Sequence, residues 1–197
     1  MNFLAHLWLA DQSGTSLAGS VLGDVVHGSD LSAYPAEIAA GVRLHRRIDA
    51  ATDRHPHMVA LRQSYPDGAR RYAGIVLDLV ADYVLIQQWS RHSAETLEDF
   101  CGRCGAAIEA ASPWFLLAGG RDSSAREFEH LLRSYGEVAG IDRALRRTAT
   151  RLRKPELLLQ AAEGWLALAA AMQPQLPDLL TDLRRLALES APPEPMH

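Results

Sequence analysis

Cysteine is scarce in this 197-residue sequence, and its two cysteines, Cys101 and Cys104, are only three positions apart. Two cysteines are too few for a disulfide framework, which is consistent with a reducing compartment. A zinc ribbon needs a second pair of ligands, and a thioredoxin-like motif lies beside a βαβ pattern. The sequence around these cysteines has neither. Because positions i and i+3 share one face of a helix, the spacing favours two small buried side chains.

Long apolar runs are also missing. No stretch reaches the roughly 18 apolar residues that a transmembrane helix needs. The first ten residues are apolar, but they have no basic segment and are interrupted by His6, which is not typical of a signal peptide. We therefore expect no membrane association and a cytoplasmic location.

Lysine is nearly absent. Of the 20 Lys and Arg residues, only Lys154 is a lysine. The net charge of −4 gives the chain no general affinity for polyanions, so we expect no nucleic-acid partner. Arginine makes planar, bidentate contacts with phosphate and carboxylate groups. The preference for arginine is consistent with binding of such groups, but a GC-rich genome also produces it, and both explanations stay open.

Residues that favour strands are sparse, whereas Ala, Leu and Arg are abundant, and this composition favours helices. Helical periodicity predicts helices at residues 2–10, 16–27, 35–54, 67–91, 94–111, 123–135, 138–152, 155–172 and 175–190. We predict an all-α fold, a single-domain helical bundle over residues 1–190. Residues 191–197, which are rich in proline, are predicted to form a frayed C-terminal tail.

Polar residues interrupt these apolar segments at helical spacing. His45 and Asp49 are four residues apart, as are Asp78 and Asp82, so each pair shares one helix face. Two carboxylates at that spacing repel each other, and a cation between them would remove the conflict. The polar residues with apolar neighbours are His6, Asp24, His45, Asp49, Asp78 and Asp82.

Each of these residues also has a structural explanation. His6 could be a hydrogen-bonded core residue, and the aspartates could pair with backbone groups or reach solvent. Arg46 and Arg47 could join a structural ion-pair network. Taken together, however, so many polar groups within apolar helices favour a metal or catalytic site.

The residue types indicate the chemistry of such a site. Mixed imidazole and carboxylate ligands suit Mn²⁺, Mg²⁺ or Fe²⁺. Arg46 and Arg47 beside His45 indicate an anionic substrate, and phosphoryl oxygens fit the guanidinium fork. A metal ion lowers the pKa of water, and a nearby aspartate can act as base. The pattern therefore predicts metal-assisted hydrolysis of a phosphoester.

Three segments carry a resemblance to a known family: residues 1–7 (MNFLAHL), 19–24 (GSVLGD) and 41–49 (GVRLHRRID). With Thr52-Asp53, Leu77-Asp78, Asp82 and Trp89-Ser90, they are similar to the acyl carrier protein phosphodiesterases. The resemblance is dense over residues 1–90 and scattered beyond.

The resemblance implies an HD-domain-like helical hydrolase with a divalent metal, typically Mn²⁺. It implies hydrolysis of the phosphodiester that joins 4′-phosphopantetheine to a serine of holo acyl carrier protein, which gives the apo carrier and 4′-phosphopantetheine. Asp24 is the first residue implied as essential. We expect catalytic roles for Asp24, His45, Arg46, Arg47 and Asp49, and metal binding by His6, Asp24, His45, Asp49, Asp78 and Asp82. An HD-type phosphohydrolase acting on a nucleotide or small phosphate ester, or a non-enzymatic helical module, stays open as the alternative.

Acyl carrier proteins present acidic helices, so the resemblance also implies an acidic partner. A run of basic residues at positions 143–154 could form a complementary surface. We expect the carrier to dock around Arg143, Arg146, Arg147 and Arg151, which we call the arginine cluster. A solvated basic face without a partner is the alternative.

Overall fold

The computed structural model describes residues 1–190, and every regular element in that range is a helix. This confirms the all-α prediction, whereas the HD-like label stays a prediction. The predicted frayed tail at residues 191–197 lies outside the described residues. The helices are α1 (Phe3–Gln12), α2 (Leu17–Leu22), α3 (Ala36–Arg54), α4 (Pro56–Gln63), α5 (Arg70–Gln87), α6 (Trp89–His92), α7 (Leu97–Ala110), α8 (Ser112–Leu117), α9 (Ala125–Ser134), α10 (Val138–Ala149), α11 (Pro155–Ala161), α12 (Trp165–Met172) and α13 (Leu176–Ser190).

Several helix boundaries differ from the prediction for local reasons. The helix predicted at 155–172 breaks in two at Gly164, whose φ of 73° is in the left-handed region. Pro56, expected only to end α3, also begins α4, where the His55 side chain accepts a hydrogen bond from the His57 backbone N–H. The helix predicted at 16–27 ends at Leu22, so Asp24 lies in the loop before α3.

Helices α1 and α5 form the centre of the bundle. Seven consecutive residues of α1, from Leu4 to Ala10, are buried, as expected for a helix that is apolar on nearly all sides. Helix α5 contacts α1, α4, α10, α11, α12 and α13. Two polar side chains of these helices, His6 of α1 and Asp82 of α5, are buried and therefore need partners inside the protein. None of the described helices is both long and apolar enough to cross a membrane.

Helices α2 and α3 cross unusually closely. A Cβ at Gly19 would lie 2.9 Å from the Cα of Gly41, and a Cβ at Gly41 would lie 2.7 Å from the Cα of Gly19. Only glycine at both positions permits this approach. The close crossing brings the end of α2, and the loop that carries Asp24, against the middle of α3 where His45 lies.

Candidate metal and phosphoester site

His45 is the buried imidazole that α3 contributes. Its Nδ1 lies 2.7 Å from the backbone carbonyl oxygen of Ser20, so Nδ1–H donates to that oxygen. The other ring nitrogen, Nε2, lies 3.0 Å from Oδ2 of Asp49. A second hydrogen bond that fixes the tautomer and the ring orientation is typical of a metal-binding histidine. Burial disfavours protonation of His45, but Asp49 and Asp24 outweigh it and raise the pKa of His45.

His6 is contributed by α1 and is only 1% exposed. Its Nε2 lies 3.0 Å from Oδ1 of Asp49, and its ring stacks on that of His45 with centroids 3.9 Å apart. Among residues 1–190, Nδ1 of His6 has no hydrogen-bond partner. Burial lowers the pKa of His6 to about 3, so the ring is neutral, which is the form that binds a metal.

Asp49 joins the two imidazoles, because one carboxylate oxygen faces His6 and the other faces His45. Burial opposes its ionisation, but its hydrogen bonds with His45 and His6 outweigh that effect and lower the pKa of Asp49. One ligand atom from each of His6, His45 and Asp49 lies within 4.8 Å of the others. These three residues, which we call the His–Asp group, could thus hold one metal ion.

Asp24 and Asp78 lie beside the His–Asp group. Oδ1 of Asp24 is 3.6 Å from Nε2 of His45, and the Asp24 side chain is 47% exposed. Oδ1 of Asp78 is 3.2 Å from the amino nitrogen of Met1, which is also 3.2 Å from Oδ1 of Asp49. Partial burial raises the pKa of both Asp24 and Asp78, although nearby positive charge opposes the rise.

Asp82, predicted as a metal ligand, is not brought to the His–Asp group. It is fully buried, and its oxygens accept hydrogen bonds from the backbone N–H groups of Leu4, at 2.8 Å, and Ala5, at 3.0 Å. Asn2 Nδ2 donates a third, of 3.0 Å. Asp82 therefore caps the first turn of α1, whose N–H groups have no partner within their own helix. Asp78 contacts the Met1 amino group, whereas Asp82 accepts hydrogen bonds from uncharged groups, so the two residues have separate partners and their spacing does not require a shared cation.

A cavity of about 510 Å³ opens beside these residues, and we call it the central cavity. Its acidic wall has Asp24 and Asp78. Its lining also includes Arg121, Tyr135, Arg147 and Arg151. Two members of the predicted arginine cluster thus lie near the predicted acidic residues, although they are far away in sequence.

Arg46 and Arg47, predicted to contact the substrate, have other positions. Arg46 Nη2 donates a hydrogen bond of 2.9 Å to the carbonyl oxygen of Val26, which holds the loop that carries Asp24. Arg47 is exposed. Neither is among the described residues that line the central cavity, so the structure does not place either arginine with the acidic wall.

Four contributors to the site were missed by sequence reasoning. The Ser20 carbonyl acts through the backbone, so its residue type gave no signal. Gly23 leaves no room for a side chain, because a Cβ there would collide with the ring of His45. Its position next to Asp24 was the one available hint. Arg121 and Tyr135 reach the central cavity only through the packing of α9 and α10 against the rest of the bundle.

Imidazole and carboxylate groups beside an arginine-lined cavity offer ligands for a metal ion and guanidinium groups for an anionic ester. The chain belongs to the acyl carrier protein phosphodiesterase family, whose model matches residues 1–183. This confirms the family that the sequence motifs indicated.

Individual relatives carry the same family name. The chain is 42% identical over 91 residues to an acyl carrier protein phosphodiesterase of Photorhabdus laumondii, which is 46% of each chain. It is 41% identical over 110 residues to an acyl carrier protein phosphodiesterase of Pectobacterium atrosepticum. The aligned residues make up 55% of this chain and 57% of that relative. The similarity thus spans about half the length of these curated relatives. No solved structure matches the chain.

Proposed function

We propose that the protein is a metal-dependent phosphodiesterase that hydrolyses the bond between 4′-phosphopantetheine and the serine of holo acyl carrier protein. The products are the apo carrier and 4′-phosphopantetheine. The observation that carries the proposal is the central cavity, where Asp24 and Asp78 lie beside the His–Asp group and Arg147 is part of the same lining. The substrate is inferred from the name of the relatives, which are called acyl carrier protein phosphodiesterases.

The residues present fit a divalent ion. His45 donates Nδ1–H to Ser20, so its Nε2 is the nitrogen left for a metal, and it already faces Asp49. His6 is neutral and offers Nε2 in the same space. Two imidazoles and a carboxylate, without a thiolate, suit Mn²⁺, with Mg²⁺ or Fe²⁺ as alternatives. His6, His45 and Asp49 would hold the ion, and Asp24 and Asp78 are near enough to complete its surroundings.

When bound, a divalent ion supplies positive charge to the phosphoryl oxygens and acidifies water. In the chemistry that we propose, Asp24 takes the proton from the attacking water as the water oxygen bonds to phosphorus. The bond from phosphorus to the serine oxygen breaks, and that oxygen takes a proton from solvent to become the hydroxyl of the apo carrier. The Asp24 carboxylate is half-exposed to the central cavity, and its pKa is raised by partial burial, which makes it a stronger base than a solvated aspartate. The arginines across the cavity stabilise the charge that develops on phosphorus-bound oxygens.

The arginine cluster supports the carrier as partner. Arg143, Arg146 and Arg147 are exposed on α10, and exposed Arg151 follows the helix. Acidic helices of a carrier protein would be attracted to this surface, and the attraction would weaken as salt is added. We propose that the carrier docks here with its phosphodiester directed into the central cavity.

The proposal is tested by mass spectrometry of holo acyl carrier protein incubated with the protein and Mn²⁺. We expect the carrier to lose the mass of 4′-phosphopantetheine, and chelation of the metal to stop the loss. An unchanged carrier combined with turnover of nucleotides would identify a phosphohydrolase of another specificity instead.

Asp24→Asn is the decisive variant in the same assay. It should abolish hydrolysis while the helical circular dichroism stays intact, because Asp24 lies in a loop and is half-exposed. Asp30→Asn is the matched control: Asp30 lies in the same loop, and its carboxylate accepts a hydrogen bond from the Ser32 N–H. Normal turnover by Asp24→Asn would remove Asp24 from the mechanism.

A further inference from the structure

The arginines of α10 do not all face the same space. Arg147 lines the central cavity together with Asp24, and Arg151, just beyond the helix, lines it too. Arg143 lies in an adjoining groove, of about 630 Å³, that also includes Arg147. Arg146 is exposed but is not among the described residues that line either space. Helical geometry explains the difference. Arg143 and Arg147 are four residues apart and share a face of α10, whereas Arg146 points about 100° away from Arg147.

The arginines at the central cavity carry uncompensated charge. Arg121, Arg147 and Arg151 form no ion pair with a carboxylate of residues 1–190, whereas Arg103 and Arg133 each pair with two. Arg121 and Arg147 also line the adjoining groove, so they stand where the two spaces meet. Three unpaired guanidinium groups around one cavity favour an anion there.

Tyr135 gives Arg147 a fixed neighbour. Tyr135 is only 1% exposed, and its hydroxyl lies beside the side chains of Arg147 and Asn2. Burial raises the pKa of Tyr135, so the hydroxyl stays protonated and neutral. It therefore does not neutralise Arg147, and the guanidinium charge is left for a ligand.

We infer that Arg147, with Arg121 and Arg151, binds the phosphoryl group of the substrate, while Arg143 and Arg146 serve the outer docking surface. The inference rests on the proposed function, which it deepens by dividing the arginine cluster into two parts. The bound group is a phosphate mono- or diester, because a guanidinium fork matches two phosphoryl oxygens. The acidic wall with Asp24 lies in the same cavity, which places the ester next to the base.

Calorimetric titration with inorganic phosphate in a Mg²⁺ buffer tests the inference without any turnover. Arg147→Gln should weaken phosphate binding about tenfold or more, because it removes a charge-assisted hydrogen-bond pair. Arg147→Lys keeps the charge but not the guanidinium fork. Its affinity for phosphate should lie between those of Arg147→Gln and the unmodified protein. Arg146→Gln is the matched control from the same helix and should bind phosphate like the unmodified protein. Equal weakening by Arg146→Gln and Arg147→Gln, or no phosphate binding at all, would overturn the inference.

A second measurement separates the two parts of the cluster with holo acyl carrier protein as substrate. Arg146→Glu should raise KM with little change in kcat, whereas Arg147→Gln should lower kcat. The opposite pattern would contradict the division. If the unmodified protein leaves the carrier intact, the proposed substrate is wrong, but the phosphate titration still decides whether Arg147 binds a phosphoryl group.

Discussion

Asp82 of α5 accepts a hydrogen bond of 2.8 Å from the backbone N–H of Leu4 in α1. The two residues are far apart in sequence, and the contact joins the two central helices of the bundle. It satisfies one of the N–H groups that the first turn of any helix leaves free. Burial raises the pKa of Asp82 to about 7, although its hydrogen bonds oppose the rise. Asp82 thus holds α1, and with it His6, in place.

The first prediction is that Asp82 serves stability. Asp82→Ala should lower the free energy of unfolding by about 3 kcal/mol, because it leaves the buried N–H groups of Leu4 and Ala5 without an acceptor. Asp82→Asn keeps one acceptor oxygen and should cost about half as much. Urea unfolding of the metal-free protein measures both values.

A metal-ligand role for Asp82 would give a different result. Asp82→Asn would then lose Mn²⁺ affinity and leave the stability of the metal-free protein unchanged. Asp99→Ala is a suitable control for the loss of a carboxylate, since Asp99 is exposed and its contacts stay within the first turn of α7.

The second prediction concerns the space beside His45. Gly23→Ala should push the imidazole away from Asp49, because the added Cβ would overlap the ring. We expect Mn²⁺ affinity to fall about tenfold, as is usual when the support of a metal-binding histidine is disturbed. Equilibrium dialysis with Mn²⁺ measures the effect.

Gly74→Ala is the matched control for this substitution. Gly74 lies in α5, and a Cβ there meets nothing within 4 Å. It should leave Mn²⁺ binding unchanged and stabilise the helix by about 0.5–1 kcal/mol, since alanine loses less backbone entropy than glycine. Unchanged Mn²⁺ affinity in Gly23→Ala would show that the position of His45 does not depend on this glycine.

The third prediction is a pH dependence that originates at His6. Unfolded His6 takes up a proton below its ordinary pKa of about 6.5, whereas folded His6 stays neutral until about pH 3. The unfolded state therefore binds more protons in this window, and the free energy of unfolding falls as the pH is lowered from 6.5 toward 3. The contribution approaches about 1.4 kcal/mol per pH unit, the slope for one proton.

Comparison with His6→Gln isolates this contribution from the other groups of the site, several of which act in the opposite direction. Between pH 6 and 4.5, the stability of metal-free His6→Gln should depend less steeply on pH than that of the unmodified protein. His27→Gln, a change at an exposed loop position, should keep the original slope. Parallel slopes for all three proteins would mean that His6 is not held neutral in the folded state.

The fourth prediction is that both cysteines are unreactive in the folded protein. Cys101 and Cys104 are free and buried on α7, as their spacing predicted. Burial raises the pKa of Cys101 to about 12 and also raises that of Cys104, so neither forms the reactive thiolate near pH 8. Ellman's reagent should detect both thiols only after denaturation. Rapid labelling of the native protein at pH 8 would contradict the burial of that helix face.

Side-chain contacts within one helix can be predicted from the sequence, whereas contacts between different helices cannot. The four-residue spacing of His45 and Asp49 correctly predicts that these two side chains meet, because the pitch of the helix alone sets that contact. The same spacing correctly predicts that Asp78 and Asp82 lie on one helix, but the two carboxylates do not contact the same partner. Asp82 lies against the start of α1, while Asp78 lies at the central cavity, since each faces a different neighbour.

The all-α fold, the family motifs and the residue types of the site follow from the amino-acid sequence, because composition and periodicity act within one segment. The packing of separate helices sets which polar groups meet. It placed His6 against His45, used Asp82 to cap α1, and directed Arg147 rather than Arg46 into the central cavity. These outcomes depend on how separate helices pack. The close crossing at Gly19 and Gly41, for example, sets which faces of α2 and α3 contact each other. The residue pattern within either helix does not predict that contact.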